Sequence, residues 1–564
     1  MRSKRDRAKD FTRRSFISIA LKTTLFGVLA SRFGFLQILD SEKYSLLAQN
    51  NSVRLVVIPP FRANILDNTG KILAKDDEFY AIAIKSDSNT KDLSAMLAKI
   101  YDEKITLEKR YNVFLDDGRL NNSSYYILLK PLTIEEIAAI EVSFDSDIQI
   151  VRIRSRRYYY PSSTAHLTGY ISKINDKLVA GKSGVEFLFN NELVGEAGLN
   201  KYEVNAKGKI IRELEQSSPT YGNDIILSID ANLQEIMHYH LHDKSSACVV
   251  LDASNAKVLA LYSSPSFDQN IFTTGISRYE WDSLNSNYAF LNRVISSNYP
   301  PASIFKIVTA LAILQSGISQ SKKVFCSGVH TVGNRVIKCW KKSGHGFVDL
   351  KTAIATSCNV YFYINGIEAG IDRISFCAQE LGFGAITEVE LPGEVSGLVP
   401  TKSWKFKKLH EKWMIGDTVN VAIGQGYLLA TPIQMATALL RLFSCEKISP
   451  SILKDSSVKR DELKIKKEHI NIVKDALKMA FILKGGVCSK HRETFGPVSG
   501  IMGKTGTAQT ATLIAKKNDN SLFGGVCTYN HKSYCILTMI EGGGWGSGAA
   551  LPISGNIINS YLFS

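Results

Sequence analysis

Ser303 and Lys306 stand three residues apart at the head of an apolar run, Pro300-Pro301-Ala302-Ser303-Ile304-Phe305-Lys306-Ile307-Val308. On a helix, residues three apart share a face, so the Lys306 ammonium can reach the Ser303 hydroxyl. A serine at its free pKa is a poor nucleophile and needs an adjacent base. A lysine whose pKa is lowered by burial or a neighbouring cation can be that base. A lone S-x-x-K tetrad is more often a solvated helix face. Two further groups add weight. Ser357-Cys358-Asn359 lies 54 residues beyond Ser303, and Lys504-Thr505-Gly506-Thr507 lies 147 residues beyond Ser357. Separately the first reads as a helix cap or turn and the second as a strand end. Only the ordered set carries chemistry.

The order S-x-x-K, S-x-N, K-T-G is the signature of penicillin-binding proteins and class A β-lactamases, and the chain resembles the penicilloyl-serine transferases. Further segments extend the likeness from about residue 54 to 560. Arg62, Ile65, Asp67, Gly70, Leu73 and Ala74 match the arginine-bearing segment of class B penicillin-binding proteins, with Ala63 and Asn68 in place of an expected glycine and arginine. Arg156 to Pro161, His166 to Tyr170, Gly181 to Glu186 and Leu193 to Gly198 resemble later segments of the same class. Gly416 to Asn420, Gly424-Gln425-Gly426 and Trp340 to Gly346 resemble its elongation-type members, peptidoglycan D,D-transpeptidases.

The resemblance implies a role for each motif residue. Ser303 attacks the penultimate D-Ala carbonyl of a stem peptide and Lys306 takes its proton; whether Lys306 is the sole base is open, as in the related β-lactamases. Ser357 relays a proton to the leaving D-Ala, and Asn359 orients Lys306 and the substrate amide; in an extended loop the two would point the same way. Lys504 and Thr505 bind the terminal carboxylate, and Gly506 lets the strand approach the substrate. The backbone N–H groups of Ser303 and Thr507 form an oxyanion hole, worth about 3–4 kcal/mol per donor. An amine from a second stem peptide then captures the acyl-enzyme. β-Lactams would acylate the same serine. Catalysis needs no cofactor.

A second constellation is Cys326-x12-Cys339-x5-His345-x12-Cys358, in a Gly- and Lys-rich excursion between the first two motifs. A Cys₃His set can close a tetrahedral structural zinc site; a Cys326–Cys339 disulfide and inert thiols are the other readings. Zinc would tie Cys358, and with it the Ser357–Asn359 loop, to the excursion. Cys248, Cys377, Cys445, Cys488, Cys527 and Cys535 sit mostly in apolar runs and read as core.

These groups need a scaffold, and 564 residues suffice for two or three domains. The expected fold is α+β. A single membrane anchor leads to a β-rich pedestal and then to a transpeptidase domain with a central antiparallel sheet flanked by helices. The expected segments are a basic tail over 1–14, an anchor over 15–39, a pedestal over 40–222 and the catalytic domain over 223–564. Residues 1–14 hold seven basic residues against two acidic ones, and the apolar stretch Ser15 to Leu39 follows. Twenty-five residues can cross a bilayer, and the basic flank puts the N-terminus in the cytoplasm. Lys22 and Arg32 interrupt the stretch, and Arg13-Arg14 resembles a twin-arginine export signal. An uncleaved signal-anchor in a bacterial inner membrane, with a periplasmic catalytic domain, is expected; a buried amphipathic helix is the rival.

Net charge is +15, but no aromatic-basic nucleic-acid signature is present. A basic surface facing anionic envelope polymers or lipid is preferred. No glycosyltransferase segment is recognised, so the resemblance implies a SEDS-type membrane polymerase and other elongation-complex proteins as partners, with lipid-linked precursors or nascent glycan as the polymer worked on. A β-lactamase would need a deacylating E-x-x-x-N element; after Asn359 the chain instead reads Val389-Glu390-Leu391-Pro392-Gly393-Glu394. A division-type class B protein, a β-lactam-sensing or scaffold protein without turnover, and residual D,D-carboxypeptidase activity stay open.

Overall fold

The computed structural model describes residues 4–35, 52–58, 60–85, 110–111, 125–128, 132–143, 148–173, 179–205, 210–274, 276–509 and 519–563. Helix α1, Lys4–Gly34, contains the apolar stretch Ser15–Gly34. At ~1.5 Å per residue, twenty residues reach about 30 Å, the thickness of a bilayer core. The helix runs back through the basic start, because Lys and Arg are good helix formers. The expected tail and anchor are therefore one helix, and positions 36–39 lie outside the described residues.

The chain divides into two compact units. The first includes residues up to Phe61 and Gly195–Tyr221. In it, Val53–Ile58 pairs antiparallel with Gly198–Val204, which pairs antiparallel with Ile210–Ser217. The second holds Arg62–Phe114, Asn121–Val194 and Gly222–Ser564. Residues 62–114 and 121–194 thus group with the catalytic motifs, on the far side of the expected boundary at 222/223.

Residues 62–194 are built on the long strand Ile72–Lys85, paired from Ala74↔Tyr158 to Ile84↔Ile148 with Ile148–Tyr158. A buried ionic cluster lies beside it. Glu186 accepts from Arg62 Nε at 2.5 Å and from Arg156 Nε at 2.7 Å. All three side chains are buried, and each charge has an opposite partner, the condition under which buried ions are tolerated.

The catalytic part opens with α2, Ala231–Leu241, whose N-cap Asp230 accepts from the amides of Asn232 and Leu233. The hairpin β1, Ser246–Asp252, and β2, Val258–Ser264, follows. Then come α3, Lys306–Gln315, α4, Leu350–Ala355, α5, Asn359–Ala369, α6, Pro432–Ser444, and α7, Lys467–Ile482. The chain closes with β3, Gly500–Ala508, β4, Asn520–Tyr529, β5, Lys532–Ile540, and α8, Ala550–Phe563. The five strands form one antiparallel sheet in the order β2-β1-β5-β4-β3, the central sheet expected.

Strand side chains alternate between faces. On β1, Ala247, Val249 and Leu251 join the core formed with α3, α5 and α6, while Cys248 and Val250 join α2 and α8. Both faces are covered, so the strand reads as one apolar run rather than an alternating one. Edge strand β3 carries the third motif. Cys248, Cys377, Cys488, Cys527 and Cys535 are buried as expected. Cys445 is a correction. It is half-buried and caps α6 in a left-handed conformation, φ 61°, where the chain must turn out of the helix.

Candidate active site

Ala302–Phe305 forms one turn of 3₁₀ helix that runs directly into α3 at Lys306. In a 3₁₀ turn, residues i and i+3 eclipse, so Ser303 and Lys306 stand side by side. Ala302 is left-handed, φ 53°, and its amide donates to Gly424 O at 2.8 Å. A Cβ on Gly424 would fall 1.9 Å from Ala302 O, so only glycine lets this loop support the turn. A Cβ on Gly506 would meet Leu522 Cβ at 3.2 Å, and Ala302 Cβ and Pro301 O at 3.4 Å. Gly506 thus seats the turn of Ser303 against β3.

Lys306 is fully buried. Its ammonium donates to Ser357 O at 2.8 Å, Ser357 Oγ at 3.1 Å and Asn359 Oδ1 at 2.6 Å. An ammonium has three hydrogens, so Lys306 is committed to the second motif. The Ser303 hydroxyl, half-buried, has no hydrogen-bond partner among the described residues. Burial lowers the Lys306 pKa to about 8, against an opposing pull from the Cys339 and Cys358 thiols.

The second motif is a tight turn between α4 and α5 rather than the extended loop expected. Ser357 is left-handed, φ 56°, and Asn359 already opens α5. The turn still presents both side chains to Lys306, and Cys358 leaves on the other side. Trp340 Nε1 donates to Thr356 O and Ser357 O, each at 3.1 Å. Asn359 Nδ2 donates to Lys338 O at 3.4 Å.

Lys504 is also fully buried, and its ammonium donates to Thr505 O at 3.2 Å. Its pKa is pushed down to about 7, first by burial and then by the charge of Lys306. Thr505 is buried. Thr507 O accepts from Gln425 Nε2 at 3.3 Å. In an antiparallel strand the amide and carbonyl of one residue face the same side, so the Thr507 N–H also faces the open edge of β3. Thr507 Oγ1 accepts from Gly546 N at 3.2 Å, and the neighbouring Trp545 ring lies 6.2 Å from that of Trp340. The structure thus brings Ser303, Lys306, Ser357, Asn359 and the Lys504–Thr507 strand to one cleft. Sequence reasoning assigned no role to Trp340, Gln425 or Trp545; the first two lay within quoted family segments, and nothing singled out the third.

Behind Ser357 the four expected ligands converge. Cys326 Sγ, Cys339 Sγ, Cys358 Sγ and a His345 ring nitrogen lie within 4.8 Å of one another. His345 Nδ1 is 3.6 Å from Cys326 Sγ and 3.5 Å from Cys339 Sγ. Tetrahedral zinc with bonds of ~2.3 Å to sulfur and ~2.0 Å to nitrogen sets those atoms about 3.5 Å apart. All nine cysteines are free thiols. Cys339 is held down, first by the Cys358 thiol and then by His345, while Cys358 is pushed up by the same contact and by burial. The donor set fits a structural metal.

Residues 246–560 match the penicillin binding protein transpeptidase domain family, and residues 57–227 match the penicillin-binding protein dimerisation domain family. The peptidoglycan D,D-transpeptidase MrdA of Haemophilus influenzae is 31% identical over 616 residues, covering 100% of this chain and 93% of that protein. Among solved structures, the complex between penicillin-binding protein PBP2 and MreC from Helicobacter pylori matches with TM-score 0.75 and 26% identity, covering 91% of this chain and 99% of that one. A chain of a peptidoglycan synthase complex, described as coordinating polymerization and crosslinking, matches with TM-score 0.74 and 25% identity, covering 97% of this chain and 98% of that one.

Proposed function

The chain belongs to the penicillin-binding protein transpeptidase family, and from that premise we propose that it is an elongation-type peptidoglycan D,D-transpeptidase that β-lactams acylate. The observation that carries the reading is the buried Lys306, its pKa lowered to about 8, beside Ser303 and bonded to Ser357 and Asn359.

In the proposed mechanism a neutral Lys306 accepts the Ser303 proton as Ser303 Oγ attacks the penultimate D-Ala carbonyl. Asn359 steadies Lys306 and the substrate amide, and the protonated Lys504 with Thr505 holds the terminal carboxylate. Charge that develops on the carbonyl oxygen meets the amides of Ser303 and Thr507. Collapse breaks the peptide C–N bond, and Lys306 returns its proton through Ser357 to the departing D-Ala amine. An acceptor amine then attacks the acyl-serine and gives up a proton to the neutral Lys306, the ester C–O bond breaks, and that proton passes to Ser303 Oγ. Water as acceptor would instead give a carboxypeptidase.

Cys326, Cys339, His345 and Cys358 would hold a structural zinc, which supplies a cross-link between the excursion and the second motif. Residues 57–227 serve as the pedestal. Apolar helix α1 supports a single-pass inner-membrane anchor with its basic end cytoplasmic, leaving the catalytic part periplasmic. The likeness to the synthase complex and to the MreC-bound structure supports a SEDS-type polymerase and elongation-complex proteins as partners.

The test is covalent labelling of the full chain in detergent with a fluorescent penicillin, with Ser303→Ala as control. Stable label on the wild type and none on the variant is expected. Label that clears with turnover would point to a β-lactamase, and no label on folded wild type would sink the reading.

A further inference from the structure

Between Ser319 and Val348 the chain carries Lys322, Lys323, Arg335, Lys338, Lys341 and Lys342 and no acidic residue. All except the half-buried Lys322 are exposed. Lys322 alone pairs with a carboxylate, Glu368; the other five have no ion-pair partner among the described residues. A fold that merely tolerates basic side chains pairs some of them and spreads the rest. Here they share one excursion.

The excursion is fixed to the cleft. Lys338 O receives Asn359 Nδ2 at 3.4 Å and Tyr363 OH at 3.3 Å. Trp340, 41% exposed, donates to Ser357 O and meets Trp545, 59% exposed, at the third motif. Lys338, Lys341 and Lys342 are exposed and are close chain neighbours of Trp340, whose ring meets Trp545 beside the second motif. Long-range attraction from such a cluster concentrates anions at the mouth of the site.

We propose that Lys338, Lys341 and Lys342, with the Trp340–Trp545 pair, form the docking surface for the second peptide of the reaction, a carboxylate-bearing stem peptide that delivers the acceptor amine. This rests on the transpeptidase reading of the same cleft. The acceptor is a second copy of the donor polymer, so it brings the same anionic chemistry. The donor's terminal carboxylate is already served by Lys504, which is buried and paired to its own strand. A second anionic peptide needs separate cations, and unpaired exposed ones are close chain neighbours of Trp340. The aromatic pair supplies an apolar face for the peptide backbone and methyl groups.

The test uses the full chain in detergent and the variant K338Q/K341Q/K342Q. One arm measures direct binding of a fluorescent acidic stem peptide to both proteins carrying Ser303→Ala, independent of acylation. The other measures cross-linked product per acyl-enzyme, using an acceptor with free carboxylates and its fully amidated counterpart. Each exposed pair contributes modestly, so three together set an expected loss of about tenfold in binding and in the transfer-to-acylation ratio. The amidated acceptor is expected to be used equally by both proteins, and added salt to bring the wild type down to the variant. Unchanged binding and transfer would overturn the proposal. So would an equal fall for both acceptors, or loss of adhesion to phosphatidylglycerol vesicles with transfer intact, which would assign the surface to lipid. Failure of penicillin to label the wild type would sink the enzymatic reading alone, because the binding arm still decides the docking surface.

Discussion

Ser357 holds a left-handed conformation that costs a non-glycine residue about 1–2 kcal/mol, so its surroundings must enforce it. Its carbonyl accepts from both Lys306 Nζ and Trp340 Nε1. Trp340 thus positions the base without touching it. Trp340→Phe removes the N–H and leaves a smaller aromatic ring beside His345 and Trp545. Leaving a carbonyl one donor short costs about 1–2 kcal/mol, so penicillin acylation of Trp340→Phe should slow roughly five- to thirtyfold while Tm stays within about 2 °C of wild type. Equal acylation rates would reduce Trp340 to packing. The two lysines predict a pH profile. Acylation needs Lys306 neutral and Lys504 charged, and their pKa values lie near 8 and 7. Coupled groups titrate as a pair. The rate should therefore rise as the pair loses its first proton and fall as it loses the second, a bell between about pH 7 and 8. Lys504→Arg stays charged, so its slower acylation should rise with pH and level off; a surviving alkaline limb would assign that limb elsewhere. The motif residues were legible because chemistry constrains their types and spacing. The left-handed turn of Ser357 and the Trp340 N–H were not, since backbone conformation there is imposed by partners seventeen and fifty-one residues away.

Excursion and second motif behave as one element, because Cys358 lies between Ser357 and Asn359 and the Asn359 amide donates to Cys339 Sγ at 3.4 Å. Three thiols and an imidazole at these distances repel or leave donors unpaired unless a cation gathers them. Elemental analysis of the full chain should find one zinc. Chelation, or Cys326→Ser, should lower Tm by at least ~5 °C and slow acylation, since the turn that holds Lys306 loses its anchor. Absence of zinc, with Tm unchanged on chelation, would return these residues to plain thiols. The ligand set was visible as spacing, but the sequence alone could not separate metal from disulfide, because both need only that cysteines meet. Gly506 shows the converse. Its motif position was plain, yet its neighbour, the turn of Ser303, became evident only once β3 was seen at the sheet edge.

Whole-molecule organisation was the least legible scale. Arg62, Arg156 and Glu186 were recognisable as family positions, but nothing in a linear reading joins residues 124 apart into one buried cluster. The same long-range packing binds residues 62–194 to the catalytic part. Ile225–Ile226 pairs in parallel with Ile65–Leu66. Buried Gln234 donates to Ser163 O at 2.6 Å, and buried Gln269 donates to Thr168 Oγ1 at 2.7 Å. Ala63, Leu73, Leu167 and Val185 share one core with Leu227, Ile229 and Val294. A chain starting at Asn223 would lose every one of these partners and present that apolar face to water, where it invites aggregation. A chain starting at Ser52 would keep them. The second should therefore melt as the full chain does and take fluorescent penicillin at the full chain's rate. The first should melt at least ~10 °C lower or aggregate, even though it carries every catalytic motif. Equal melting and labelling of the two would show that the catalytic domain is self-sufficient from residue 223 onward, and that the packing seen around residues 62–194 adds no stability to the site.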